Sequence, residues 1–426
     1  MSHPATVSEW LRVLETRHPV TIDLGLDRIR VVWERLGRPR PARNVITVAG
    51  TNGKGSTVAY AATMLLALGF PTGTYTSPHL LRYNERVRIG KAEVTDAELL
   101  QAFAQVEAAR GATSLTYFEF GTLAAFVLLG RARLDFALLE VGLGGRLDAV
   151  NLIDTDCAVI TPIGLDHQEY LGRDRESIGR EKAGILRRGR PLVCGESEPP
   201  LSVLETAGRL DAPVRRLGHD FWIAEREGGL HWRGPGGSVD LPRPPMPGAH
   251  QSANLATALA AVAALAPEAL RRPDALAAAI GTVRVPGRLQ AVRDHPLVLL
   301  DVGHNPLAAQ AVASALRELG IRPAICVLGM LRDKDAGAVV AALDASVDLW
   351  YCAGLAGERG RSAEDLAREV AAVSGAGRVR AFPEVGSGLR AALQAVSADQ
   401  SILVFGSFRT AAQAAACLAG EPDPAS

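Results

Sequence analysis

One stretch constrains the fold of this chain more than any other. An apolar run, Asn44-Val-Ile-Thr-Val-Ala49, passes directly into Gly50-Thr-Asn-Gly-Lys-Gly-Ser-Thr57 and on into a helical pattern through Val58, Met64, Leu65 and Leu68. A strand that turns through glycines into a helix belongs to an open α/β sheet, and such a turn collects anions. Glycines at 50, 53 and 55 let backbone N–H groups converge, Lys54 adds a point charge, and Ser56 and Thr57 offer hydroxyls. The helix N-terminus contributes its dipole. The pattern predicts a nucleoside triphosphate site. The common phosphate loop runs Gly-Lys-Ser/Thr without interruption, whereas Gly55 here separates Lys54 from Ser56.

Further short apolar runs alternate with helix-length segments: Thr72 to Thr76, Phe136 to Val141, Ala158 to Ile163 and Leu192 to Cys194. That alternation predicts an α/β fold with a mostly parallel sheet covered on both faces. The stretch 199–247 is rich in Gly, Pro and charge, with Trp222 and Trp232 in alternating segments, and reads as a smaller β-rich subdomain. Helices are expected near 251–266 and 274–282. The alternation breaks around Val283 to Pro296 and then restarts. The expected organisation is a P-loop domain over 1–286, a linker over 287–296 and a second, Rossmann-like α/β domain over 297–426. Strands of that domain are expected at Leu297 to Val302, Ile325 to Leu328, Leu349 to Ala353 and Ser401 to Phe405.

Composition narrows the partners. The chain has 46 basic and 46 acidic residues among 426, so no global field recruits nucleic acid or an anionic membrane. An anionic ligand must be held locally. Five cysteines, none in a Cys-x-x-Cys pair, read as reduced thiols of a cytoplasmic protein. Met1 to Glu9 is polar, unlike a signal peptide, and no apolar run reaches the roughly 18 residues of a membrane span.

Polar residues recur at the carboxyl ends of the expected strands, where open α/β sheets bind ligands. A triphosphate needs a divalent cation, and hard cations take oxygen ligands with an occasional imidazole. Glu140 closes one strand before the glycine-rich Val141-Gly-Leu-Gly-Gly-Arg-Leu-Asp148; the alternative is an edge residue beside a plain turn. Asp166 and His167 follow another strand, where a structural histidine is the competing reading. Lys182, on spacing alone, reads as a solvated helix lysine. Ser77 follows the strand after the P-loop helix, and Arg82, Arg86 and Arg88 lie in a run that reads either as a charged surface loop or as a segment near phosphates. Arg288, Asp301 and His304 gather where the second domain starts. Asn305 is expected to cap a helix opening at Pro306, and Asp301 and His304 have the same capping alternative.

Taken in order, these motifs resemble the folylpolyglutamate synthase and dihydrofolate synthase family, relatives of the Mur ligases. The resemblance spans nearly the whole chain: Thr21 to Arg28, Ala49 to Ser56, Thr76-Ser-Pro-His-Leu80, Leu115 to Gly121, Leu139 to Asp148, Leu165-Asp-His167, Arg180 to Ile185, Pro286-Gly-Arg288, Asp301 to Pro306, Leu328 to Lys334 and Phe405 to Phe408. Gly55 is the form this family's loop takes. The resemblance implies that Thr51, Asn52, Gly53, Lys54, Gly55 and Ser56 hold ATP phosphates, with Asn254, Arg288 and Asp301 completing the nucleotide site. It implies magnesium ligation by Ser77, Glu140 and His167, and carboxylation of Lys182 on its side chain. Asp23, Leu24 and Gly25, then Thr116, Tyr117 and Phe118, then Leu147, Asp148 and Ala149 match the pterin-binding region. His304 and Ser407 match residues near the incoming glutamate. Gly303 departs from an expected alanine.

The activity so implied is an ATP-dependent acid–amino-acid ligase of folate biosynthesis and one-carbon metabolism. L-glutamate is joined to dihydropteroate and to the γ-carboxylate of reduced folates, through an acyl phosphate, by a monomeric enzyme. Lys54, Lys182 and His304 are the expected catalytic residues. A monofunctional folylpolyglutamate synthase is the nearest alternative; a Mur-type ligase and a non-catalytic P-loop switch are more distant.

Overall fold

The computed structural model describes residues 4–20 and 22–420; Thr21, which opens the first matched motif, lies outside the described residues. The chain divides into two compact units, Met1–Pro245 with Ser252–Val283, and Met246–Gln251 with Arg284–Ser426.

The first unit is built on an eight-stranded sheet. Its strands are β1 (Asn44–Ala49), β2 (Thr72–Tyr75), β3 (Val87–Ile89), β4 (Ala92–Glu93), β5 (Phe136–Glu140), β6 (Cys157–Ile160), β7 (Leu192–Cys194) and β8 (Val214–Arg216), in the order β4-β3-β2-β5-β1-β6-β7-β8. Strands β2, β5, β1, β6, β7 and β8 run parallel, and the β3–β4 hairpin adds an antiparallel edge. All five residues of β5 and five of the six of β1 are buried, as expected of strands covered on both faces. From β1 the chain passes to β2 on one side and later, from β5, to β6 on the other. The carboxyl ends of β5, β1 and β6 therefore flank the topological switch point, where such sheets take ligands.

The helix Lys54–Ala67 follows β1, and the helix Tyr117–Arg131 is buried along most of its length. Thr116 starts the latter with a capping box: Glu119 N–H donates to the Thr116 hydroxyl and Thr116 N–H donates to the Glu119 carboxylate. A three-stranded antiparallel sheet, β9 (Trp222–Arg226), β10 (Gly229–Gly234) and β11 (Gly237–Leu241), forms the smaller β-rich part. Trp232 fixes it, stacked against Phe221 and donating its indole N–H to Ala256 O at 3.2 Å. The excursion expected over 199–247 is thus shorter in fact. Residues 201–209 are helical and β8 joins the main sheet, because Val203 and Ala207 are buried on the same core as β7.

The second unit holds β12 (Gln290–Asp294), β13 (Leu297–Leu300), β14 (Ile325–Leu328), β15 (Leu349–Ala353), β16 (Val379–Phe382) and β17 (Ser401–Phe405), in the order β12-β13-β17-β14-β15-β16. All are parallel except β12. Cys326 and Leu328 pack on one face of β14 while Ile325 and Val327 pack on the other. Residues 290–294, expected within the linker, instead pair antiparallel with β13 as an edge strand. Their side chains are mostly exposed, which is why they carry no apolar signal. All five cysteines are free thiols. Among the described residues no helix is long and apolar enough to cross a membrane.

Candidate active site

Everything at the phosphate loop follows from two glycines. Gly50 has φ +147° and Gly53 φ +88°, and a Cβ on either would overlap a neighbour, Thr161 Oγ1 at Gly50 and Asn254 Oδ1 at Gly53. The backbone thus runs tight against β6 on one side and the helix Ala249–Leu265 on the other. Asn254 is brought to the loop as expected. Lys54 folds its ammonium back, donating to Gly50 O and Thr51 O, each at 3.0 Å. The Thr57 hydroxyl is buried without a hydrogen-bond partner. Gly55 lies in the first helical turn, where a Cβ would sit 3.6 Å from Glu140 Oε2; no clash forces glycine there.

Other predicted residues of the same unit lie around this loop. Glu140 is buried at the end of β5 and accepts from Ser77 N–H at 3.2 Å. Thr51 exchanges two hydrogen bonds with Gly164, its hydroxyl donating to Gly164 O and accepting from Gly164 N–H, and so ties the loop to the segment bearing Asp166 and His167. His167 adopts φ +50° as it enters a short helix. Lys182 corrects the reading from spacing: its side chain is buried, and its ammonium donates to Gly50 O at 2.9 Å. Burial, with the charge of Lys54 next, pulls it down to about 7, while Asp166 and Asp148 act in the opposite sense. Two ammonium groups therefore share one carbonyl beneath the loop, a concentration of positive charge suited to phosphates. Among the described residues no three His, Cys, Asp or Glu side chains gather into a closed metal site. Ser77, whose N–H donates to Glu140, and Glu140 itself carry hard oxygen donors, and His167, on the segment that Thr51 ties to the loop, carries a borderline imidazole nitrogen.

The expected pterin segments also meet. Phe118 stacks on Tyr75 and fills the space where a Cβ on Gly142 would sit. Asp148 caps the turn Ala149–Leu152, accepting from Val150 N–H and Leu143 N–H, and burial raises its carboxyl to about 6 against those hydrogen bonds and Lys54. Leu147 and Ala149 flank it. Asp23, just before Leu24 and Gly25, pairs with Arg28 at 2.6 Å, and Arg28 also reaches Glu119 at 3.2 Å. One arginine thus fastens the Asp23 segment to the cap beside Thr116 and Tyr117.

In the second unit, Asp301 is buried at the end of β13, accepting from Leu289 N–H and Gly303 N–H. Burial raises its carboxyl against the pull of Arg288, whose guanidinium lies over the Phe408 ring. His304 donates from Nδ1 to Val302 O at 3.0 Å. Asn305 caps the helix Pro306–Glu318, so capping does not account for Asp301 or His304. Ser407, by contrast, caps the helix Phe408–Ala419, its hydroxyl accepting from Thr410 N–H. Gly303 has a steric reason: a Cβ would lie 2.7 Å from the Phe405 ring and 2.9 Å from Ala308.

The Mur ligase middle domain matches residues 48–193, and the Mur ligase glutamate ligase domain matches residues 287–408. The dihydrofolate synthase/folylpolyglutamate synthase of Escherichia coli K12 is 43% identical over 416 residues, covering 95% of this chain and 94% of its own. The chain belongs to the dihydrofolate synthase/folylpolyglutamate synthase family. Its fold superposes on Escherichia coli FolC in complex with DHPP and ADP with a TM-score of 0.91, at 42% identity and 98% coverage of both chains. The Yersinia pestis bifunctional folylpolyglutamate synthase/dihydrofolate synthase, complexed with AMPPNP and Mn ion, gives 0.90 at 44% identity, covering 98% of this chain and 100% of that one.

Sequence reading of this family member misses Thr161, which closes the loop against β6, and the fastening role of Arg28. It also leaves Arg86 open between a charged surface loop and a segment near phosphates, and the buried side chain excludes the first. The signals were partial: Arg28 ends a matched motif, and Arg86 follows an aromatic residue by three positions.

Proposed function

We propose that this chain is an ATP-dependent amide ligase that joins L-glutamate to dihydropteroate, forming dihydrofolate, and to the γ-carboxylate of reduced folates. The observation that carries the reading is the convergence of Lys54 and Lys182 on Gly50 O, with the Glu140 carboxylate beside the same loop and Phe118 packed on Gly142, two residues beyond Glu140.

A carboxylate resists attack by an amine until one oxygen becomes a leaving group. In the reaction the substrate carboxylate attacks the γ-phosphorus of ATP, releasing ADP and forming an acyl phosphate; the amine of L-glutamate then displaces phosphate. Lys54, the loop N–H groups from Thr51 to Ser56, and the Lys54–Ala67 helix N-terminus stabilise the charge that spreads over the transferred oxygens. Asn254, Arg288 and Asp301 are the proposed further ATP contacts. Ser77, Glu140 and His167 are the proposed ligands of a divalent cation, which supplies the same kind of charge neutralisation when bound. Asp23, Leu24, Gly25, Thr116 to Phe118 and Leu147 to Ala149 hold the pterin, and His304 and Ser407 act near the incoming glutamate. His304 orients that amine or takes its proton.

Lys182 is proposed to be carboxylated. A lysine held down to about 7 has a large neutral fraction at physiological pH, and a neutral amine adds to carbon dioxide, losing one proton to give a carbamate. Carbon-13 labelled carbon dioxide should give a carbamate NMR signal that disappears in K182M. The enzyme is further proposed to work as a cytoplasmic monomer on small molecules, independent of nucleic acid and membrane.

The test of the activity offers purified protein Mg-ATP and L-glutamate with either dihydropteroate or tetrahydrofolate, and identifies products by mass. Both should gain one glutamate. No product from dihydropteroate, with tetrahydrofolate still extended, would leave folylpolyglutamate synthase alone.

A further inference from the structure

Arg86 is a buried cation without an anion. Its side chain is nearly inaccessible, and the guanidinium lies 5.1 Å from the centre of the Tyr83 ring and 5.5 Å from that of Tyr117, two rings set edge to face. Its Nε donates to His79 Nδ1 at 2.9 Å, which requires that nitrogen to be unprotonated. Among the described residues no aspartate or glutamate pairs with it. Arg361, comparably buried, has Glu369, and Arg28 has both Asp23 and Glu119. Arginine cannot discard its charge, and removing a guanidinium from water without a counter-charge is costly. The fold accepts that cost at a place where a ligand can repay it.

The place is specific. Arg86 O accepts from Thr76 N–H at 2.8 Å, and the next residue, Ser77, donates to Glu140. Arg86 is therefore anchored one residue from the phosphate-side machinery. On its other side Tyr117 opens the fifteen-residue helix Tyr117–Arg131, whose first turn carries the proposed pterin residues. On the ligase reading, the reacting carboxylate lies between the phosphate loop and the proposed pterin residues. With Nε held by His79, two tyrosine rings beside it and Tyr75 also interacting with it, the guanidinium is confined, and its Nη groups are the donors a carboxylate would meet.

We infer that Arg86 binds the substrate carboxylate that is to be activated, and so selects carboxylate-bearing pterins. This rests on the ligase reading above. It is a binding role with no covalent step, and it leaves the nucleotide contacts untouched.

The experiment compares wild type, R86M and R86K. Binding is measured by calorimetry for dihydropteroate and for the same pterin–aniline lacking the carboxyl group, with AMPPNP as a control. A charge-assisted pair predicts that the wild type prefers dihydropteroate by about 10–100-fold and that R86M binds both equally, with AMPPNP affinity unchanged. An R86M protein that keeps the preference overturns the assignment. Should R86M not fold, R86K decides. The lysine keeps the charge but loses the fork and the ring contacts, so KM for dihydropteroate should rise about tenfold with KM for ATP unchanged. Unchanged KM for dihydropteroate, or equal rises in both, overturns it too. A wild type that converts neither dihydropteroate nor tetrahydrofolate refutes the ligase reading and this assignment with it. Turnover of either, with unaltered carboxylate preference in the variants, refutes Arg86 alone.

Discussion

Replacing Lys182 by Met asks whether the fold holds a functional charge in its core at the expense of its own stability. The ammonium is buried, donates to Gly50 O at 2.9 Å, and is drawn down by burial and by Lys54 from lysine's ordinary 10.5 to about 7. The unfolded chain keeps that proton up to about pH 10. The gap between the two values, at ~1.4 kcal/mol per pH unit, makes the buried group cost about 4 kcal/mol at pH 7. Methionine removes this cost together with one hydrogen bond, whose loss returns about 1–2 kcal/mol in the other direction. Gly50 O keeps the Lys54 ammonium at 3.0 Å. The variant should therefore be more stable than wild type by about 2 kcal/mol at pH 7 while losing ligase activity.

The pH dependence makes the argument sharper than one number. Between about pH 7 and pH 10 the folded wild type has released its proton while the unfolded chain still holds one. Wild-type stability then climbs by ~1.4 kcal/mol per pH unit relative to the variant. Below pH 7 both states are protonated and the difference is flat. The two stability curves should cross between about pH 8 and pH 9. Urea denaturation of both proteins from pH 6 to pH 9.5 measures this, in buffer free of carbon dioxide so that no carbamate replaces the ammonium. A variant less stable than wild type at pH 7, or a difference that does not change with pH, refutes the reasoning.

Gly50→Ala forces a Cβ into Thr161 Oγ1 and to 2.9 Å from Thr161 O, at a positive φ; the strain and overpacking should cost about 2–4 kcal/mol in urea denaturation and raise KM for ATP. A loss under about 0.5 kcal/mol would mean that the loop yields freely. Arg28→Met releases the Asp23 segment from Glu119, so KM for dihydropteroate should rise about tenfold while KM for ATP stays within about twofold; equal changes in both would argue for general loosening. His250 is held down to about 4 by burial and then by Arg288, so the unfolded chain takes up its proton first as the pH falls from 6.5. Wild type should lose about 3 kcal/mol between pH 7 and pH 4 relative to H250Q, and parallel acid-denaturation profiles would exclude this.

What the sequence made legible, and what it hid, divides along a physical line. The phosphate loop could be read because its requirement is local: strand, glycine turn and helix dipole all lie within one continuous stretch. Polar residues at strand ends were legible because parallel strands place every carboxyl end on the same edge, so Ser77, Glu140 and His167 could be gathered without knowing a single contact. The edge strands β12 and β16 were invisible, since an edge strand needs few buried side chains and theirs are largely exposed or half-buried. The burial of Lys182 and Arg86 escaped a reading by spacing for a deeper reason. A charged residue in a polar stretch defaults to solvent, because burial of a charge is a tertiary event that leaves no periodic trace. Yet burial of an ionic group is costly, and a fold retains it only where something offsets the cost. Arg28 and Arg361 have carboxylates that do so within the protein. For Arg86 and Lys182 no ion pair of that kind forms among the described residues, and the offset proposed above is a substrate carboxylate in one case and phosphate or carbon dioxide in the other. The residues that sequence reading was least able to place are therefore those on which the ligand chemistry rests.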